Sequence, residues 1–374
     1  MKEICNTSLC TGCAACMNRC PKQCIEMHED NRLGHLYPRI DQDKCIDCGA
    51  CMKVCPVNHA LEMRIPITAY AGWDKSEKEY VSSTSGGAAS AFARYIIRQG
   101  GVVYGCAMLP DIKVNHVRID SLDDISKLKG SKYVQSTIGM IYKNVREDIR
   151  QGRKVLFIGT PCQAAGVKSF VGENDNLYTA DLICHGTPPL AYLRNHILKK
   201  TKGVIPDEIF FRKGAYLLLL LLLGGKEIYR SSLFEQRYQD TYYNTFFDGF
   251  SYRESCHKCR YAQSKRVSDV TIGDFWGLKE DLPLEHPHGC SVLLPITKKG
   301  EELIEGIRQE FNLYERTIDE AVNGNDQLRH PKVKDFRITI FGRLLPLLGV
   351  DKSYRLCVAD KILRRKLRII IKGK

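Results

Sequence analysis

Long hydrophobic runs are missing from this sequence of 374 residues. No segment reaches the roughly twenty consecutive apolar residues that a membrane-spanning helix needs. The closest candidate, Ala215–Leu223, contains seven consecutive leucines and has about half that length. The N-terminus also lacks the apolar core and small-residue cleavage site of a secretory signal. We therefore expect no secretion and no membrane-spanning helix, and we interpret the leucine run as a buried strand.

Evenly spread positive charge is missing as well. The formal net charge is +13, but residues 351–374 hold nine Lys or Arg against two Asp, whereas residues 1–60 are balanced at seven of each sign. A nucleic-acid-binding face would need basic residues across the folded surface. We therefore predict that the chain has no nucleic-acid partner.

Cysteine, in contrast, is abundant: the chain has seventeen. Eight of them form two runs near the N-terminus, each followed by proline and each with the spacing C-x2-C-x2-C-x3-C-P that is typical of bacterial two-cluster ferredoxins. Such clusters require reduced thiols, so the pattern favours a cytoplasmic protein. In this pattern the fourth cysteine of each run binds the other cluster. The predicted ligand sets are Cys10, Cys13, Cys16 and Cys55 for one [4Fe–4S] cluster, and Cys45, Cys48, Cys51 and Cys20 for the other.

The alternative for the two runs is a pair of zinc sites, since thiolates also bind zinc. Zinc ribbons use two cysteine pairs, whereas here the four-cysteine ferredoxin order occurs twice, which favours iron–sulfur clusters. Cys5 and Cys24 fall outside the pattern, and we interpret them as bystanders or as residues packed beside a cluster.

After Pro66 the cysteine density drops and strand patterns alternate with helix patterns. This alternation predicts an α/β domain with a largely parallel or mixed sheet. The expected fold class is therefore a small α+β ferredoxin-like domain followed by a larger α/β domain. The predicted boundaries are 1–64 for the ferredoxin-type domain, 65–300 for the large domain, and 301–374 for a helical C-terminal region with a basic amphipathic tail.

Four further cysteines lie on three segments of the large domain. Cys162 and Cys184 each follow an apolar strand, and Cys256 and Cys259 form a close pair. Because the carboxyl ends of parallel strands build the sites of open α/β sheets, these thiols are candidates for a third [4Fe–4S] cluster. The alternatives are small buried residues and half of a zinc site. The neighbouring His185 and His257 are interpreted as structural histidines.

A Ser/Thr/Gly-rich loop, Ser82–Ala88, leads into a predicted helix and offers backbone N–H groups for a phosphate. The segment Lys129–Gln135 could add two cations to a pyrophosphate. Neither segment is a Walker motif, and the chain has no G-x-G-x-x-G sequence. Each of the two is, taken alone, also compatible with an ordinary helix start or a surface turn.

Six short motifs occur in an order that resembles the coenzyme F420 hydrogenase/dehydrogenase beta-subunit family, here with an N-terminal two-cluster ferredoxin extension. The motifs are SSTSGGA (82–88), KGSKYVQS (129–136), GTPCQ (159–163), DLICHG (181–186), CHKC (256–259) and IGDFWG (272–277). The resemblance spans roughly residues 1–300. The leucine run departs from the more polar hairpin of the family, and the last seventy residues match loosely.

This resemblance implies a flavoprotein that binds FAD and a [4Fe–4S] cluster, and it strengthens the third cluster at the four thiols of the large domain. The cofactor contacts it suggests are Ser85, Gly86, Gly87, Lys129, Ser131, Lys132, Gln135, Thr160 and Asp274. In the founding members the hydride acceptor is coenzyme F420, and many bacterial members resemble genes of polysaccharide clusters.

The expected function is an oxidoreductase that passes electrons from ferredoxin or a partner subunit through the clusters to FAD and then to F420 or another organic acceptor. No catalytic side chain is assigned. The alternative is a non-catalytic subunit that relays electrons to a partner enzyme. At the C-terminus, residues 352–374 form the pattern of a basic amphipathic helix, which predicts either a peripheral membrane contact or a helix docked on the domain.

Overall fold

The computed structural model describes residues 3–214, 216–234, 238, 240–279 and 281–372, with side chains as far as residue 368. The strands are β1 Ile25–Glu29, β2 Leu36–Ile40, β3 Ala69–Asp74, β4 Val102–Leu109, β5 Lys113–Ile119, β6 Val155–Gly159, β7 Leu177–Leu182, β8 Glu208–Lys213, β9 Tyr216–Leu223, β10 Lys226–Ser232, β11 Val270–Asp274, β12 Ser291–Pro295 and β13 Phe311–Arg316. The α-helices are α1 Ala15–Arg19, α2 Ala50–Lys53, α3 Glu77–Val81, α4 Ala88–Arg98, α5 Ile141–Arg150, α6 Pro161–Val171, α7 Leu190–Lys200, α8 Thr241–Phe247, α9 Lys298–Ile307, α10 Ile318–Gly324, α11 Phe336–Cys357 and α12 Ala359–Lys372. Short 3-10 helices cover Thr7–Leu9, Leu122–Leu128, Glu254–Lys258 and Asp326–Leu328.

The two cysteine runs fold in the same way. Each run has a loop that ends in a left-handed residue, Ala14 or Gly49, followed by one turn of helix, α1 or α2. The hairpin of β1 and β2 joins the two halves. The left-handed residue turns the chain sharply, so that the thiols before it and the helix after it face the same interior. The predicted small α+β ferredoxin-like fold is confirmed.

The large domain is built on an eight-stranded mixed sheet of order β13-β3-β12-β11-β7-β6-β4-β5. Its centre, β4-β6-β7-β11, is parallel, and the flanking pairs are antiparallel. Helices cover the apolar faces; α4, for example, contributes Phe92 and Ile96 to a core shared with the sheet. The predicted mixed α/β fold is confirmed. The carboxyl ends of β6, β7 and β11 meet at one edge, where such sheets place their sites.

The leucine run forms β9, the middle strand of a separate three-stranded antiparallel sheet with β8 and β10. Leu217–Leu221 are buried, and Leu223 is exposed at the turn. Alternate leucines pack against α7 and α8 through Leu193 and Tyr242. The interpretation of this run as a buried strand is confirmed, although Ala215 lies outside the described residues.

The ferredoxin-like module and the large domain share a hydrophobic core. Ala14 and Ala15 of the module pack with Tyr142 of α5 and Phe170 of α6. The buried Asn18 side chain donates to the carbonyl of Gly139 at 2.8 Å. The first cysteine run is therefore fixed against the large domain.

The expected helical region at 301–374 needs a correction. Phe311–Arg316 form the edge strand β13, which pairs with β3 along six residues, so the large sheet continues past residue 300. Phe311 and Leu313 of this strand pack into the core, Glu315 is exposed, and the partner strand lies some 240 positions earlier in the chain. Beyond β13 the described chain is helical, and α11 bends at Gly349, whose φ is +69°. No described helix is long and apolar enough to cross a membrane.

Candidate iron–sulfur and flavin sites

The module contains two cavities walled by thiols. The first, here called the outer cavity, is lined by the predicted set Cys20, Cys45, Cys48 and Cys51. The second, here called the inner cavity, is lined by Cys10, Cys13, Cys16 and Cys55. The fourth cysteine of each run thus lines the cavity of the other run, as the spacing predicts.

Each cavity also has a fifth thiol. Cys24 lies in the outer cavity with its sulfur 3.4 Å from that of Cys20, and Cys5 lines the inner cavity. Both residues were expected as bystanders or as packing beside a cluster, and both line a thiol-walled cavity.

Two thiols of the inner cavity have lowered pKa values. A hydrogen bond from Cys5 is the largest influence on both of them, and it lowers the pKa of Cys10 to about 7 and that of Cys55 to about 6. Cys5 itself has a raised pKa because it shares its proton with both of these thiols. Burial acts in the opposite direction on Cys13 and raises its pKa to about 12. A bound metal would offset that cost, because a coordinating thiol is deprotonated.

The four further cysteines of the large domain also converge. Cys162 opens α6, Cys184 follows β7, and Cys256 and Cys259 lie on and just after the 3-10 helix Glu254–Lys258. Burial, together with the nearby charges of the other three thiols, raises the pKa of Cys184. Burial also raises the pKa of each of the other three. For Cys162 and Cys259 the raised value is about 11. We call this set the third thiol group; each of its cysteines is partly exposed, and four thiols grouped in this way favour a cationic occupant.

Local folding rules explain how the third thiol group is assembled. Thr160 caps α6 in a capping box with Gln163, and its hydroxyl lies 3.2 Å from the sulfur of Cys162. Behind Cys184, the buried carboxylate of Asp181 pairs with Arg266, whose Nη2 lies 3.0 Å away. Arg266 also donates to the carbonyls of residues 261 and 182, so one guanidinium connects the segments that carry Cys259 and Cys184.

The inner cavity lies directly against the third thiol group. A Cβ at Gly166 of α6 would lie 3.3 Å from the sulfur of Cys13, and α6 also carries Cys162. On another side, the hydroxyl of Ser255 donates to the carbonyl of Cys10 at 3.0 Å, one residue before Cys256. The outer cavity, the inner cavity and the third thiol group therefore follow one another.

The two loops predicted to contact FAD are neighbours. The Ser131 hydroxyl lies 3.2 Å from that of Thr84, and the ammonium of Lys129 lies 2.6 Å from the hydroxyl of Ser82. Within the described chain, the backbone N–H groups of residues 85–87 donate to no protein acceptor. They precede the helix α4, as an anion site requires.

The two lysines of this region are already engaged by protein groups. Lys129 pairs with Glu79 at 2.8 Å, and Lys132 donates to the carbonyls of Leu128 and Lys129. Burial lowers the pKa of Lys132. The backbone of the Ser85–Gly87 loop fits a phosphate, whereas the lysine side chains would have to exchange partners to reach one.

Three other predicted cofactor contacts lie elsewhere. Thr160 belongs to the third thiol group, and Gln135 lies at the inner cavity, where it donates to the carbonyl of Thr11 at 3.1 Å. Asp274 ends β11 and pairs with Arg212 at 2.6 Å. The guanidinium carbon of Arg212 lies 5.9 Å from the centre of the Trp276 ring, which is 46% exposed. Arg212 and the buried Arg253 were missed, because a lone arginine carries no spacing signal.

The two histidines beside the third thiol group differ in their contacts. The Nδ1 atom of His257 lies 3.1 Å from the carbonyl of Lys332, which fits the structural role expected for it. His185 is exposed. Among the described residues, no three His, Cys, Asp or Glu side chains converge closely enough to hold a single metal ion.

These features define an iron–sulfur protein with a mixed α/β domain. Residues 152–321 match the family model that describes the C terminus of the coenzyme F420 hydrogenase/dehydrogenase beta subunit. Two models of a 4Fe-4S dicluster domain match residues 9–59 and 37–106. The resemblance recognised in the sequence is confirmed: the chain carries a C-terminal domain of this beta-subunit family behind dicluster sequences. Beyond residue 68, the second dicluster match lies on β3, α3, α4 and β4.

A similar chain occurs in a solved structure of the xenon-derivatized F420-reducing [NiFe] hydrogenase complex from Methanosarcina barkeri. It is 16% identical, with 71% of this chain and 91% of that chain covered and a TM-score of 0.48. No curated protein matches this chain. The protein is an iron–sulfur electron-transfer protein with a domain similar to the C terminus of F420 hydrogenase/dehydrogenase beta subunits.

Proposed function

We propose that this chain is an iron–sulfur flavoprotein oxidoreductase that takes electrons from ferredoxin or a redox partner subunit and delivers them to an organic hydride acceptor. The outer cavity, the inner cavity and the third thiol group would each hold one [4Fe–4S] cluster, and the Ser85–Gly87 loop would contact FAD. Clusters exchange single electrons and a flavin exchanges two, so together they connect one-electron donors to hydride chemistry.

The succession of the three thiol sets is the observation that supports this proposal best. The inner cavity adjoins the elements that carry the third thiol group: Cys13 lies against Gly166 of α6, and Ser255, next to Cys256, donates to the carbonyl of Cys10. A protein that bound zinc only to stabilise its fold would not need three neighbouring thiol sets. Cys48 is exposed at the outer cavity, so an electron donor could reach the row of thiol sets at that end.

The outer cavity provides a contact surface for the electron donor. Ile46 and Met52 are exposed beside Cys48, with relative accessibilities of 58% and 41%. Exposed apolar side chains around a redox centre suit a transient partner, because they bury little area and permit rapid release. On the opposite side of the path, Asp274, Arg212 and Trp276 form a charged and aromatic rim where the organic acceptor could bind. Coenzyme F420 and a substrate of polysaccharide synthesis are the two acceptor classes that we propose.

The decisive experiment is anaerobic purification of the full chain with iron, acid-labile sulfide and flavin counted per polypeptide. We expect about twelve iron, about twelve sulfide and one FAD. About eight iron without flavin would reduce the protein to a ferredoxin module on a domain of another function. If the cofactors are complete but the chemically reduced chain turns over no acceptor alone, the non-catalytic relay is the better description.

The C-terminal helix supports a peripheral membrane contact. In α12, Leu363 and Leu367 are exposed, with relative accessibilities of 59% and 48%, and lie among basic residues such as Arg364 and Lys366. An apolar stripe between cations suits the surface of an anionic bilayer.

Replacing Leu363 and Leu367 together by glutamine should lower binding to phosphatidylserine vesicles at least tenfold, because each inserted leucine contributes about 1.5–3 kcal/mol. Cosedimentation measures the effect. Leu284→Gln, at a leucine that is 50% exposed but lies outside the tail, should bind like the wild type. Equal binding by the double variant would leave α12 as a helix with a solvated basic face.

A further inference from the structure

Arg253 is a buried cation without a carboxylate partner. Its side chain is 1% exposed, and its Nη2 donates to the carbonyl of Leu36 at 2.8 Å and to the side-chain oxygen of Gln135 at 2.9 Å. Its guanidinium carbon lies 4.5 Å from the centre of the Tyr37 ring. Within the described chain, the buried Nε and Nη1 atoms have no hydrogen-bond partner, and no carboxylate pairs with the group.

Burying a guanidinium without a carboxylate partner costs free energy unless another anion lies nearby. An uncompensated charge in a protein interior costs several kcal/mol even after relaxation. Other buried guanidinium groups of this chain are paired: Arg266 has Asp181, and Arg94 has Asp74. Arg253 therefore differs from them and points to a negative group that is not an acidic side chain.

The thiols on both sides of Arg253 identify that group. A Cβ at Gly12, between Cys10 and Cys13, would lie 2.7 Å from Nη2, so the guanidinium touches the loop of the inner cavity. On the other side, the backbone carbonyl of Arg253 accepts the amide of Cys256 at 2.9 Å. The guanidinium of Arg253 thus meets the loop of the first cysteine run, and its backbone meets the segment that carries Cys256.

We propose that Arg253 is the shared counter-charge of the inner-cavity cluster and the third cluster, and that it raises the reduction potentials of both. This inference rests on the proposed function, which places clusters at those sites. Each reduction adds one negative charge to a cluster, so a cation held in a dry place nearby stabilises the reduced form. Arg253 is a positioning residue in this role, because it ligates no iron. The reduction potential of a cluster in the outer cavity, on the far side of the module, should not depend on Arg253.

Redox titration of the anaerobic full chain, followed by electron paramagnetic resonance, tests the proposal. In Arg253→Met, both neighbouring clusters should become harder to reduce, by at least a tenfold change in the reduced fraction at a fixed potential, or 59 mV. The outer cluster should keep its wild-type potential, and Arg253→Lys should keep most of the wild-type behaviour. Unchanged potentials at the two neighbouring sites, or an equal shift at all three, would overturn the assignment.

A second variant keeps the test valid if Arg253→Met fails to fold. Gln135→Glu would place a carboxylate beside Nη2 and neutralise the guanidinium without removing it, so the same two potentials should fall. Gln99→Glu adds an equal charge at the surface end of α4 and should leave all potentials unchanged. A wild type with about eight iron would overturn the third cluster and with it the shared role. A wild type with about twelve iron and no response in either variant would overturn the role of Arg253 alone.

Discussion

Chains in which Cys162 and Cys256 are both replaced by alanine should retain about eight iron atoms where the wild type holds about twelve. The two thiols belong to different segments of the third thiol group, so their loss leaves only two of its four ligands. Two remaining thiolates are too few to hold a cubane. The signal of the third cluster should disappear from the spectrum of the reduced protein, while the signals of the N-terminal clusters remain.

Cys357 provides the matched control for this experiment. It is a partly buried cysteine of α11 that lies outside all three thiol sets, so Cys357→Ala should keep the full iron content. Twelve iron atoms in the double variant would show that these thiols bind no cluster. Loss of all iron would show that the large domain had failed to fold around the module.

Replacement of Asp181 by alanine should lower the free energy of unfolding by about 3–5 kcal/mol, because it leaves Arg266 as an unpaired charge in the interior. Asp181 is fully buried, and it also accepts hydrogen bonds from Ser268 and Thr271. The same change should weaken the third cluster, since the pair holds the ends of the segments that carry Cys184 and Cys259. Urea unfolding under anaerobic conditions measures the first effect, and the iron count measures the second.

The exposed ion pair of Glu305 and Arg308 on α9 is the control for Asp181. Glu305→Ala removes a carboxylate from a guanidinium in water, which costs at most about 1 kcal/mol. If Asp181→Ala proved as mild as Glu305→Ala, the buried pair would be incidental to the assembly of the third thiol group.

Local spacing made the N-terminal module predictable. Three thiols of each run lie within seven residues and therefore on one loop. Because the whole run occurs twice, the fourth cysteine of each run can be assigned to the cluster of the other run. Both ligand sets could therefore be derived without any tertiary information. The strands and helices of the large domain were predictable for a similar reason, since apolar runs such as 154–159 have few alternatives to a buried strand. The positions of Cys162 and Cys184 just after apolar strands suggested a group with Cys256 and Cys259, and the resemblance to a known family strengthened it.

Long-range pairing accounts for what was missed. The strand β13 pairs with β3, which lies far away in the sequence. No feature of the residues near β13 identifies it as an edge strand of the large sheet. Arg212 meets Asp274 across 62 residues, and Arg253 lies between two sites that are themselves formed from distant segments. Gln135 was grouped with Lys129 because they are near in sequence, whereas the structure places it against Thr11 in the module.

The crossing of Cys20 and Cys55 into each other's cavity has a consequence for how the protein matures. Neither half of the module can be completed alone, because each half supplies a wall of both cavities. Loading with iron and sulfide should accordingly be all-or-none: a chain shortened from its front end up to residue 20 would forfeit both centres together and could not serve as a single-centre version of the protein.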